Sequence, residues 1–154
     1  MLADEQNGFR QGRSCLDHVY VLSSIVRNRK VKRLPTYVCY VDFEKAFDRV
    51  DRDLLFYKLK MMGINGKILD CIKGIYSNCK CAVNINGYMT EWFKTDFGVK
   101  QGDNLSPTLF GLYINDLVCD LNINNTGVKC GDMNVCSLLY ADDLVLMSET
   151  EDDL

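Results

Sequence analysis

Two adjacent acids, Asp142-Asp143, sit between apolar stretches, Leu138-Leu139-Tyr140-Ala141 before them and Leu144-Val145-Leu146-Met147 after them. Neighbouring anions in a hydrophobic frame repel each other and resist desolvation, so they need a cation, a proton or access to water. The stretch is too short and too interrupted to span a membrane. It predicts strand, tight turn, strand, with the acids at the hairpin tip where water and a divalent metal can reach them. A solvated Asp-Asp turn on an ordinary hairpin meets the same pattern, because aspartate is a common turn residue.

The chain has 154 residues, 47% of them apolar and 25% charged, which is enough for one globular core and unlike a disordered segment. One domain is expected, whole or cut from something larger. No charged-then-apolar leader opens the chain and no long apolar run follows, so an intracellular protein with no membrane partner is expected. Eight cysteines raise the question of a disulfide scaffold or zinc site, but there is no C-x-x-C pair, and the single histidine, His18, lies near Cys15 without a matching second pair. Several occupy apolar runs such as Tyr37-Val38-Cys39-Tyr40-Val41, so reduced core cysteines are expected. The net charge of −3 is unevenly spread, with a basic cluster (Arg27, Arg29, Lys30, Lys32, Arg33) and an acidic end (Glu149, Glu151, Asp152, Asp153). Such a cluster can meet phosphates, but a basic run closing a helix also complements its dipole and is usually solvated, which is the expectation here.

Ser14 can cap a helix running to about Asn28, with Leu16, Val19, Leu22, Ile25 and Val26 near one face. After Pro35, Thr36 to Val41 suits a buried strand that ends on Asp42. Asp51 can cap a helix from Arg52 to Met61 that stops at Gly63, and a further helix is expected from Lys67 to Tyr76. Cys79 to Ile85 and Glu91 to Phe97 read as strands joined across Asn86-Gly87, a strong hairpin signal. Ser106-Pro107 opens a helix with Phe110, Tyr113, Ile114, Leu117, Val118 and Leu121 along one face. Helices and strands mix without regular βα alternation, which favours an α+β fold.

The strand ending on Asp42 supplies a third carboxylate, and a sheet could bring it beside Asp142. Mg²⁺ prefers oxygen ligands and retains waters, so a few aspartates at strand ends satisfy it without a full protein cage. Two such ions about 3.5 to 4 Å apart would stabilise both the attacking and the leaving oxygen of a phosphoryl displacement. Glu44, Asp48 and Asp51 lie nearby and read as helix-start or surface charges.

Three segments, Asp42-Phe43-Glu44-Lys45-Ala46-Phe47-Asp48, Gly98 to Pro107, and Tyr140-Ala141-Asp142-Asp143, resemble in order and separation the palm motifs of reverse transcriptases. Upstream, Asn7-Gly8-Phe9-Arg10-Gln11-Gly12-Arg13-Ser14 is similar to the segment before the palm in non-LTR retrotransposon and group II intron enzymes, and the wording of Asp42 to Asp51 and of Gly98 to Leu117 is nearest the non-LTR retrotransposon branch. The resemblance covers nearly the whole chain. It implies a polymerase palm, a split βαβ or ferredoxin-like sheet with helices on one face, plus part of the fingers: residues 1–35 as the end of the fingers and 36–154 as the palm.

The resemblance also implies roles. Asp42 and Asp142 match the two main metal ligands and Asp143 the third catalytic acid, holding two Mg²⁺ ions for which Mn²⁺ can substitute. Phe47 matches the aromatic that closes off the sugar 2′ side and favours deoxynucleotides, although a core aromatic beside a strand end would look the same. Gln101 and Gly102 resemble the loop against the nascent base pair and template, where glycine permits close backbone approach. Tyr140 and Ala141 match the residues beside the primer terminus. Asn104 stands where proline is common and Asp103 where cysteine is common; neither departure touches an acid.

The implied partners are an RNA template, a DNA primer and dNTPs, together with triphosphate-gripping fingers and a thumb that this chain does not accommodate. Arg10 and Arg13 read either as phosphate contacts or as donors that fix the turn before the first helix. The implied function is RNA-directed DNA polymerisation, part of a retrotransposon polyprotein. The alternative is a truncated, non-catalytic nucleic-acid-binding remnant, and within the enzyme class an RNA-templated RNA polymerase shares the paired acids. No endonuclease motif is present.

Overall fold

The computed structural model describes residues 2–123 and 127–154. Along the chain come α1 (Cys15–Lys32), β1 (Tyr37–Val41), α2 (Arg52–Met61), α3 (Gly66–Tyr76), β2 (Lys80–Cys81), β3 (Asn84–Ile85), β4 (Tyr88–Met89), β5 (Phe93–Lys94), α4 (Ser106–Ile123), β6 (Val128–Cys130), β7 (Met133–Val135), β8 (Ser137–Tyr140) and β9 (Asp143–Ser148). Helices and antiparallel strand pairs without βα alternation make this an α+β fold, as expected. The chain divides into two compact units, residues 1–44 with 110–154, and residues 45–109. Among the described residues no helix is long and apolar enough to cross a membrane.

In the first unit, β9 is the middle strand of a sheet ordered β1-β9-β8. The register runs from Tyr37↔Ser148 to Val41↔Leu144 on one side and from Ser137↔Leu146 to Tyr140↔Asp143 on the other. The outer edge of β8 is covered by the start of the chain: Leu139 N–H donates to Glu5 O at 3.0 Å and Asn7 N–H to Leu139 O at 2.9 Å. That short parallel pairing satisfies an edge that would otherwise invite association.

α1 packs on this sheet. Ser14 caps it with a full capping box, its hydroxyl accepting from Leu16 N–H while Asp17 accepts from Ser14 N–H at 2.7 Å. Ile25 joins Val128, Leu138 and Met147 in the core, with Val21, Leu22, Val38 and Val145 around them. The apolar face is therefore not the expected one, since Leu16, Val19 and Val26 are exposed. Leu16 lies nine residues from Ile25, roughly half a turn away around a helix of 3.6 residues per turn, so both cannot face one sheet.

The helix also runs past Asn28, and its last turn holds the basic cluster. Arg29 departs from the expectation of solvated charge. It is buried, donating to Pro35 O through Nε and Nη2 and to Glu149 Oε1 through Nη1 at 2.8 Å. Arg27, Lys30, Lys32 and Arg33 stay exposed. The cysteines are all free, as expected, but only Cys136 is buried, while Cys15, Cys71, Cys81 and Cys119 are exposed. Cys15, Cys71 and Cys119 lie on outward-facing positions of helices and Cys81 on an exposed two-residue strand, so an apolar neighbour in sequence does not carry the cysteine inward.

In the second unit, α2 and α3 match the expected spans, and Asp51 accepts from Leu54 N–H at 3.0 Å as the expected cap. Leu55, Leu59, Leu69, Ile72 and Tyr76 are buried. Asn86-Gly87 does turn a hairpin, but the return strand starts at Tyr88, earlier than Glu91. The pairs Asn84↔Met89 and Cys81↔Phe93 differ by one residue in register, leaving Glu91 and Trp92 opposite Ala82. This β-bulge divides one hairpin into two short ladders. Arg52 on α2 donates to Thr95 O, Phe97 O and Gly98 O, tying the helix to the end of that hairpin. α4 begins at Ser106, which is therefore its first residue and not the expected cap, with Pro107 second, and the Ser106 hydroxyl meets that of Tyr76 at 3.3 Å.

Replacing Arg29 with alanine removes the guanidinium from Pro35 O and one of the two donors to Glu149, and is expected to lower the unfolding free energy by about 1–3 kcal/mol. Arg27→Ala, at an exposed site of the same helix, should change it by no more than roughly 0.5 kcal/mol; chemical denaturation of both variants checks this. Glu149 also responds to acid. The Lys129 N–H bonded to it, with Arg29 beside it, holds its carboxyl below the ordinary range against the opposing effect of burial. Its contribution is complete above the unfolded-state value and is lost as pH falls through the lower folded value. In Glu149→Gln the acid limb of a stability-against-pH curve should be shallower than in the parent protein.

Candidate active site

The hairpin between β8 and β9 closes on Tyr140↔Asp143, leaving Ala141-Asp142 as a two-residue loop. Ala141 has φ +57, the sign that primed hairpin turns need at their first loop position and usually fill with glycine. An L-residue there is strained by roughly 1–2 kcal/mol, so its surroundings must hold it. Asp142 is half-buried at the tip, and Asp143, the first residue of β9, is exposed.

The β1–β9 register places Asp42 one step beyond Val41↔Leu144, opposite Asp143. The expectation placed Asp42 beside Asp142; continued by one step, the register brings Asp42 level with Asp143, the residue next to Asp142. All three acids thus belong to one end of one sheet within the first unit. Among the described residues no group of three or more His, Cys, Asp or Glu side chains forms a ready metal site. The donor set nonetheless suits Mg²⁺ in chemistry: all oxygen, with Asp42 and Asp143 open to water.

Gln6 holds the strained loop residue. Its side-chain amide donates to Ala141 O at 3.0 Å and accepts from Ala141 N–H at 2.9 Å and from Gly8 N–H at 2.7 Å, all while 3% exposed. Gly8 lies so close that a Cβ there would stand 2.2 Å from Ala141 N. Arg10 donates to Ala3 O and Gln6 O, and Arg13 to Asp4 and Asn7, so both serve as donors fixing the segment before α1. Sequence reasoning passed over Gln6 because its partner is 135 residues away and no periodicity or spacing joins them. Tyr140 is half-buried, with the ring of His18 edge-on at 6.5 Å. Burial lowers the His18 pKa, partly offset by Asp17.

Phe47, Gln101 and Gly102 belong to the second unit. Phe47 is half-buried and its carbonyl accepts from Val99 N–H at 2.9 Å. Gln101 is exposed and donates to Asp48 at 2.8 Å, so the first and second matched motifs are joined there by a side-chain bond. Gly102 has φ +85 with nothing within 4 Å of a built Cβ; its conformation, not a close neighbour within the chain, calls for glycine. Gly98 needs glycine on both counts, with φ +83 and Asp48 O 2.8 Å from a Cβ.

Residues 1–154 match the family described as Reverse transcriptase (RNA-dependent DNA polymerase). The retrovirus-related Pol polyprotein from type-1 retrotransposable element R2 of Nasonia vitripennis is 29% identical over 154 residues, 100% of this chain and 15% of that protein. The Transposon TX1 uncharacterized 149 kDa protein of Xenopus laevis is 32% identical over 145 residues, 93% of this chain and 11% of that protein. The chain thus spans a small part of the relatives it matches. In structure it is similar to apo telomerase from Candida tropicalis truncated from the C-terminal domain, with a TM-score of 0.60 and 20% identity over 87% of this chain and 29% of the other. That likeness supports the fold, and the full-length family match carries the assignment: the chain belongs to the reverse transcriptase (RNA-dependent DNA polymerase) family, with relatives of the non-LTR retrotransposon type.

Proposed function

We infer that this chain is the RNA-directed DNA polymerase core of a non-LTR retrotransposon polyprotein, transferring a nucleotidyl group from a dNTP to a primer 3′-hydroxyl on an RNA template. The observation that carries the reading is the register that sets Asp42 opposite Asp143 beside the Asp142 tip, in a chain matched to the family along its length. On this reading the sheet and its helices are the palm, residues 36–154, and residues 1–35 end the fingers. A thumb and the remaining fingers would be supplied by other parts of the polyprotein.

Asp42, Asp142 and Asp143 would hold two Mg²⁺ ions, or Mn²⁺ in their place, which supply charge to lower the 3′-hydroxyl pKa and to stabilise the leaving pyrophosphate. The chain's own part is placement. Carboxylates at the ends of paired strands keep a fixed separation, and the open end of the sheet leaves room for water and phosphate oxygens. Tyr140 and Ala141 would lie beside the primer terminus and Gln101-Gly102 beside the template base, with Phe47 selecting against a 2′-hydroxyl.

Asp142→Asn in a polypeptide that carries this chain and extends a DNA primer on RNA is expected to lower the extension rate by at least about 100-fold, the scale for loss of one electrostatic stabiliser. If the unmodified protein binds primer-template and extends nothing with Mg²⁺ or Mn²⁺, the polymerase reading fails. Salt-dependent RNA binding indifferent to Asp142→Asn would then identify a non-catalytic remnant. Phe47→Ala should reduce discrimination between dNTP and rNTP by at least about tenfold in single-nucleotide incorporation. A parent protein that prefers ribonucleotides would instead identify an RNA-templated RNA polymerase.

A further inference from the structure

We propose that Gln6 is a positioning residue for the acid-bearing turn, its side-chain amide serving as a surrogate peptide group that holds Ala141 in left-handed backbone and thereby aims Asp142. The inference rests on the polymerase reading for its consequence and on geometry for its substance.

Along β8, alternate residues direct their N–H and C=O away from β9. Leu139 is met on that side by the backbone of Glu5 and Asn7. Ala141 is the next residue of the same parity, and there the backbone pairing stops. Instead the Gln6 side chain turns in and supplies one donor and one acceptor to Ala141, the same two groups a strand neighbour would offer. A primary amide is suited to this because it presents both functions side by side. A glutamate would keep the acceptor and lose the donor, and an asparagine is one methylene short.

The clamp is closed on three sides. The Gln6 amide oxygen also accepts from Gly8 N–H, which fixes the side chain's rotation. Gly8 abuts Ala141 N so closely that only glycine fits. Arg10 grips Gln6 O, fastening the backbone from which the amide projects. Gln6 and Ala141 are both buried, so water does not compete for these bonds. Asp142 follows Ala141 directly in the chain, and rotation of the Ala141 peptide would swing its carboxylate away from Asp42 and Asp143.

The test uses the extension-competent polypeptide carrying this chain, unmodified and as Gln6→Ala, Gln6→Glu and Asp142→Asn. Backbone amide exchange of the folded proteins and steady-state single-nucleotide extension are both measured. In Gln6→Ala the Ala141 amide should exchange at least about tenfold faster while the Leu55 amide is unchanged. The same variant should lose about 100-fold in kcat, the cost of roughly 1 Å of misplacement, with the dNTP KM and primer-template Kd within about twofold. Gln6→Glu should fall between the two, since it retains the bonds from Ala141 N–H and Gly8 N–H. Ala141 protection unchanged in Gln6→Ala overturns the proposal, as does a loss of kcat that only tracks the folded fraction. If Asp142→Asn remains fully active, the polymerase reading fails, and the exchange at Ala141 alone decides whether the clamp exists.

Discussion

β9 is paired on both sides, and most of what positions the candidate site follows from that. A strand's pleat has a period of two, so slipping either neighbour by one residue would turn its whole apolar set over. β8 is buried on both faces, at Leu138 and Leu139, so the hairpin's register is fixed by its two-residue loop, and β1 is held against the same strand. The pairing of these strands thus brings Asp42 and Asp143 to the same end of one sheet.

This explains why some of the architecture was legible in the sequence. Strong local chemistry decided α2, whose capping acid and stop residue lie within a dozen positions, and the Asn86-Gly87 turn, where the residue types themselves favour positive φ. The acid pair was legible as a hairpin tip because an apolar frame around two charges has few solutions. The strand ending on Asp42 then supplied the partner acid, and family resemblance gave the three acids a role.

What was not legible depends on contacts far apart in the chain. The buried face of α1 differs from the most apolar one because Ile25 packs on the sheet while Arg29, one turn on, is buried through its bonds to Pro35 O and Glu149. The β6–β7 pair was missed because three residues on either side of Gly131-Asp132 give too short an alternation to count. The bulge at Glu91-Trp92 has no mark in composition, since both residues are exposed and neither is a turn former. Gln6 is the extreme case, a polar residue whose significance is a hydrogen bond to the other end of the chain.

The contact between Gly8 and Ala141 has an evolutionary corollary. Two positions more than a hundred residues apart share one small volume, with the Ala141 backbone occupying the space that a side chain at position 8 would need. The clashing atoms at 141 are main chain, so the demand for glycine at position 8 is set by where the turn lies and not by which residue the turn carries. Chimeras that cut between the opening segment and the hairpin would bring together halves that were fitted separately.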